Sequence, residues 1–189
     1  MTITGDGAGA GALAPADAAR ARDAVKALIR LGGAGEDALL DDLVRQAVAV
    51  AEAFVGQLLV ARPVVERVPA RANWTRLAST PVRAVASVTG LGADALAVAL
   101  PPGAYALDID ADGDAWVRAS APGVVRLEVT LAAGLASGWD MLPPPLQMAT
   151  VRLAAHAYQS RDGGGDPPAA VTALLRPWRR LRLHPEHAA

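Results

Sequence analysis

Residues 51–68, "AEAFVGQLLVARPVVERV", hold the point at which one periodicity gives way to another. Upstream, in "AGEDALLDDLVRQAVAVAEAFVGQLL", Leu39, Leu43, Ala47, Ala51, Phe54 and Leu58 recur every three or four residues, the spacing of an amphipathic helix. Acidic residues stand at its start, where the helix dipole favours them. From Pro63 onward the pattern changes. "PVVERV", "WTRLA", "PVRAVASVTGL", "AYALDID", "AWVRA" and "VVRLEVTLAAG" are short, Val-rich and separated by turn residues, and several alternate apolar with polar. In the third, Val82, Val85 and Val88 sit three apart, which fits a strand poorly.

Working outward, residues 1–15 are Gly/Ala-rich without periodicity and read as a flexible arm. A helix is expected from Asp17, a competent cap, with Ala21, Val25 and Leu28 on one face and Gly32-Gly33 as the stop. The short loop to the next helix implies an antiparallel pair. On the far side, "LPPPLQMATVRLAAHAYQSRD" returns to helix after a proline entry, with Leu146, Ala149, Leu153 and Ala157 on one face. "GGGDPP" reads as a hinge, and Asp166 or Pro168 opens a last helix through about Trp178. The expected fold is α+β but mainly helical: an antiparallel helical hairpin plus two C-terminal helices, with an inserted small β-module. The expected boundaries are an arm over 1–15, a single domain over 16–183 (helical 16–60, β-module 63–134, helical 143–178) and a tail over 179–189.

The 189 residues suffice for a core without staples, and alanine inflates the hydrophobic fraction of 52%. One Phe and two Tyr leave Leu, Val and four Trp to fill the interior. A net charge of −1 excludes a polycation, and Lys26 is the single lysine. The absence of cysteine excludes disulfides, thiolate nucleophiles and Cys-based zinc sites. The N-terminal stretch lacks the cationic and apolar regions of a signal peptide, and no apolar run reaches the roughly 18 residues of a membrane span. The expectation is a chain kept in the cytoplasm unless a particle carries it out.

Several motifs suggest sites. "DIDADGD", Asp108 to Asp114, matches the first half of an EF-hand loop, yet the twelfth position is Ala119 where a bidentate carboxylate is required, and the flanks read as strands. An Asp-Gly hairpin turn accounts for the same letters. "HPEH" offers His184 and His187 in a tail without a supporting shell, and His156 reads as a helix-surface residue. No nucleophile elbow, phosphate loop or Ser–His–Asp series occurs, so no enzyme and no cofactor are expected.

The C-terminal "LLRPWRRLRL" combines Leu174, Leu175, Trp178, Leu181 and Leu183 with Arg176, Arg179, Arg180 and Arg182. A last helix packing its apolar side on the core, with arginines reaching outward, explains residues 171–178 equally well. Beyond Trp178 the alternation suits a partner groove that takes apolar anchors and pairs the arginines with carboxylates.

The order of elements resembles the head–tail connector, or adaptor, proteins of long-tailed phages and gene transfer agents. The resemblance rests on "AEAFVGQLL", Trp74 to Leu77 followed by "PVRAVASV", "YALD", "VRLEVTLAAG", "LPPPLQMATVRLAAHAYQSRD" and "LLRPWRR", in that order over roughly residues 18–183. Thr130 or Leu131 replaces the usual aromatic of the last strand, and Trp178 stands where Tyr is usual.

The resemblance implies an assembly role: a ring, dodecameric in form, beneath the portal of a phage-like particle, extending the DNA channel and linking capsid to tail. It implies as partners the portal protein, a tail stopper or terminator component, further copies of the chain, and double-stranded DNA passing without sequence-specific binding; no membrane is implied. It places portal docking on Leu174, Leu175, Arg176, Trp178, Arg179, Arg180, Leu181, Arg182 and Leu183. Ring-neighbour contacts fall on Leu39, Leu43, Arg45, Glu52 and Arg152. The implied location is the head–tail junction, reached from the host cytoplasm. A DNA-binding module or another structural assembly is the rival reading.

Overall fold

The computed structural model describes residues 13–101, 103–160 and 167–180. Most of the expected arm, the hinge residues 163–166, the "HPEH" tail and the docking residues Leu181, Arg182 and Leu183 lie outside them. The described residues divide into two compact units, 13–59 with 136–180, and 60–135.

The first unit is helical. Helix α1 spans Pro15–Ile29, α2 Asp37–Val55, α3 Pro144–Gln159 and α4 Ala169–Leu175, with 3-10 turns at Trp139–Met141 and Arg176–Trp178. Proline occupies the first turn of α1 and α3, where its missing N–H costs nothing. Helix α1 ends at Arg30, in the left-handed region at φ 58°, rather than at Gly32-Gly33. Asp17 does not cap it; it lies in the first turn and accepts the Trp139 N–H at 3.0 Å. Gly56, at φ 72°, closes α2 as a left-handed cap. Helices α1 and α2 are antiparallel, since Arg22 reaches Asp41 while Lys26, further along α1, reaches back to Asp37.

The buried face of α2 is Leu40, Val44, Ala47, Val48, Ala51 and Val55. That is one residue out of step with the face expected from Leu39, Leu43 and Phe54. The helix carries two adjacent apolar stripes, and only packing selects between them. Leu39 is 51% and Val50 49% exposed. Leu28 of α1 and Ala157 of α3, both expected inside, are also exposed.

The second unit is strand and turn throughout. Strands β1 (Arg62–Pro69), β3 (Val82–Leu91), β4 (Ala97–Val98) and β7 (Arg126–Ala133) form an antiparallel sheet in the order β1-β7-β3-β4. Strands β2 (Thr75–Arg76), β5 (Tyr105–Ile109) and β6 (Ala115–Ala119) form a second, in the order β2-β6-β5. This overturns the mainly helical expectation: the fold is mixed α+β. Read one at a time, the Val-rich segments suggest a minor insert, but they pair along their lengths, β1 with β7 over eight residue pairs. Two-residue β4 left no periodic signal to read.

The three-residue spacing of Val82, Val85 and Val88 has a structural cause. The β3–β7 register shifts between Val82 and Ala84 and again between Val85 and Ser87. Each shift adds a residue to β3, so a two-residue repeat becomes three. Its partner β7 has no such insertions and alternates cleanly, burying Leu127, Val129, Leu131 and Ala133.

Within this unit the two sheets are tied by polar contacts. Glu66 of β1 is 2% exposed, and its carboxylate accepts the N–H groups of Ala78 at 2.7 Å and Ser79 at 2.6 Å, just past β2. The Gly113 carbonyl accepts the Val82 N–H at 2.7 Å.

Candidate assembly surfaces

Three surfaces emerge from these elements. The first is the C-terminal segment. Helix α4 buries Val171 and Leu175, the latter 2% exposed, in the core of its own unit. Leu175 is therefore withdrawn from the expected docking set, because a side chain already packed has no area left for a partner. Leu174 and Trp178 remain partly exposed and, with Pro145, Ala173 and Pro177, line an apolar cleft of about 390 Å³. Arg176 is exposed.

Residues 178–180 are anchored. The Trp178 carbonyl accepts Gln57 Nε2 at 2.9 Å, and the Arg180 N–H donates to the Val55 carbonyl at 2.8 Å. The Arg179 guanidinium lies 5.6 Å from the Phe54 ring centroid, in cation–π range. The expected tail thus starts later than residue 179: Arg180 still runs along the C-terminal end of α2, capping a carbonyl that the helix leaves unsatisfied.

The second surface is the outer flank of α2. Leu39 and Leu43 lie there with Val50 and Phe54. Arg45 is half-buried and paired with Asp42, and Arg152 of α3 is exposed. Glu52 departs from the expected neighbour-contact set. It is buried, and its carboxylate accepts the Leu59 N–H at 2.9 Å, serving the turn after α2.

The third surface was missed in the sequence, although "WTR" and "WVR" repeat one Trp-x-Arg pattern. Arg76 pairs with Trp116 across β2 and β6, placing the two on one face of the three-stranded sheet. Arg118 stacks 4.7 Å from the Trp74 ring and Arg76 lies 5.9 Å from Trp116. Alternation at two-residue spacing, with the other side chains of β6 buried, was the available signal.

The Asp108–Asp114 stretch is the end of β5 followed by the turn, residues 110–114, that leads into β6. Asp110 accepts the N–H groups of Asp112 and Asp114, each at 2.9 Å. Asp114 binds Arg76 and accepts the Thr80 hydroxyl at 2.8 Å. These carboxylates hold the turn and its neighbours together, and among the described residues no group of three or more His, Asp or Glu is placed to hold a metal. No helix among the described residues is long and apolar enough to cross a membrane.

Charge is concentrated between α1 and α2. Lys26 donates to Asp37 at 2.7 Å, and Arg22 lies near Asp23, Asp37 and Asp41. The Lys26 hydrogen bond, aided by the Arg22 charge and opposed by partial desolvation, holds Asp37 below the ordinary aspartate value. Desolvation works against Arg22, but the three carboxylates outweigh it and raise its pKa.

The chain is thus a two-unit α+β fold with exposed apolar and Trp/Arg surfaces. No protein-family model and no curated protein matches it. Solved structures do. The chain superposes with a TM-score of 0.73 and 26% identity on a chain from the neck of an empty gene transfer agent (GTA) particle computed with C6 symmetry, covering 98% of each. It matches a chain from the virion of a native GTA particle with TM-score 0.73 and 27% identity, again over 98% of each. A third match, to the neck of a native GTA particle computed with C12 symmetry, has TM-score 0.70 and 27% identity at the same coverage. The likeness to head–tail connectors read from motif order is a likeness of the whole fold.

Proposed function

We propose that this chain is a structural head–tail connector of a gene-transfer-agent-like particle, located at the head–tail junction. The observation that carries this is two-way coverage of 98% with neck and virion chains at 26–27% identity. A likeness that spans both units and leaves almost nothing over on either chain speaks for a shared role as well as a shared fold. The role is to hold parts together, and no catalysis is assigned to it.

In finer terms, copies of the chain form a ring beneath the portal, dodecameric if it follows the twelvefold neck, and line the path of the DNA. A net charge of −1 suits such a wall, since a strongly cationic lumen would grip passing phosphates. A stopper or terminator component binds the opposite end. Docking on the portal uses the Leu174–Trp178 cleft, Arg176 and Arg179, and continues into Leu181, Arg182 and Leu183. Many weak tails acting together make release slow.

The test is the native mass of purified portal rings with and without the full-length chain. A gain of one copy per portal subunit is expected, and a chain ending at Arg180 should lose it while staying folded. Ending at Arg180 preserves the Trp178 and Arg180 anchors, so failure to bind cannot be ascribed to their loss. Equal binding by the shortened chain would sink the tail assignment, and no binding by the full chain would sink the portal reading.

A further inference from the structure

The helical unit carries two partly exposed apolar surfaces of opposite relief. One is a ridge, the α2 flank of Leu39, Leu43, Val50 and Phe54. The other is a groove of about 370 Å³ between α1 and α3, lined by Ala24, Ala27, Leu28, Trp139, Met148 and Val151. Alanines make room in it, Leu28 and Met148 stand exposed at it, and a Met wall adapts to what enters. The two cannot meet within one copy. Helix α2 turns Asp37 and Asp41 toward α1, whereas the ridge ends at Phe54 beneath Arg179 of the C-terminal segment.

We propose that the α2 ridge of one copy docks in the α1–α3 groove of a second copy, head to tail. The inference rests on the connector reading for its setting and names the paired surfaces within it. Two different patches on one chain make a heterologous contact, which closes into a ring where the rotation allows. The solved necks that this chain resembles were computed with sixfold and twelvefold symmetry, as such a contact produces and a ridge-to-ridge contact does not. Both surfaces are chiefly apolar, which favours a protein face over nucleic acid. Each is also narrow, so one pair is weak and the closed ring gains from many.

The chain has no cysteine, so introduced cysteines report without background. The full-length chain carrying Val50→Cys and Ala27→Cys is incorporated into particle necks and treated with a short bismaleimide; the isolated chain is treated in parallel at high concentration. The expected result is a ladder of dimer, trimer and higher species from the double variant, with neither single variant going beyond trace dimer. Adding Leu39→Asp should lower ladder yield at least tenfold while circular dichroism stays unchanged. Three results overturn the proposal: no ladder although the chain is present in necks, strong dimer from Val50→Cys alone, or no ladder in either preparation. A ladder from the isolated chain without entry into necks would keep this contact and remove the connector reading.

Discussion

Glu66 and Gly113 show how single residues join the sheets of the β unit. Glu66 is a buried carboxylate whose two oxygens are both occupied by backbone N–H groups. Glu66→Ala would leave both donors unsatisfied, and urea unfolding should show a loss of about 2–4 kcal/mol, with Glu66→Gln losing less because one acceptor remains. Gly113 sits at φ 78°, and a Cβ there would lie 2.6 Å from Pro81 Cβ. Gly113→Ala should therefore cost at least roughly 1–3 kcal/mol, read as a lower thermal midpoint. An unchanged midpoint would mean that the turn rearranges freely. The Asp-Gly turn at Gly113 was legible in advance, but Glu66 reads as the polar residue of an alternating strand until its partners, twelve and thirteen residues away, are known.

Among the elements, the α1–α2 pair is held by charge as well as by packing. Asp37 has its pKa lowered by Lys26 and Arg22, so the ionised form is favoured in the folded state. The stability this contributes is fully present above the ordinary aspartate range and is lost as pH falls through the lower folded value. Urea midpoints measured against pH should fall on the acid side, and Asp37→Asn should flatten that limb while lowering the midpoint at neutral pH. A parallel acid limb in Asp37→Asn would assign the effect to other carboxylates. Helix existence and direction were readable from periodicity and loop length. The face of α2 was not, because its two apolar stripes are adjacent and the choice belongs to α1, α3 and α4. In β3 the misleading three-residue spacing came from bulges, which local pattern cannot distinguish from a weak helix.

At the scale of the molecule, the β unit is inserted between two halves of the helical one, and the Ala136 N–H donates to the Leu59 carbonyl at 3.0 Å. The ends of the helical unit are thus adjacent. Replacing residues 60–135 by a short Gly/Ser linker adds little loop-closure cost and should leave a helical protein with one cooperative urea transition. A non-cooperative transition would show that the helical core needs the insert. The resemblance to connectors was also legible at this scale, since the order of motifs survives where each motif alone is weak.

By itself the sequence determined the succession of the longer helical and strand segments, the lack of any thiol chemistry and the connector-like order, because these depend on local periodicity and composition. Tertiary structure alone decided that the strands form two sheets and make the fold mixed, that Leu175 and Glu52 are buried, and that Leu39 and Val50 are left outside. Those outcomes depend on which apolar surfaces find partners across long stretches of chain. A side chain's neighbours, and not its type, set what it has left to offer another molecule.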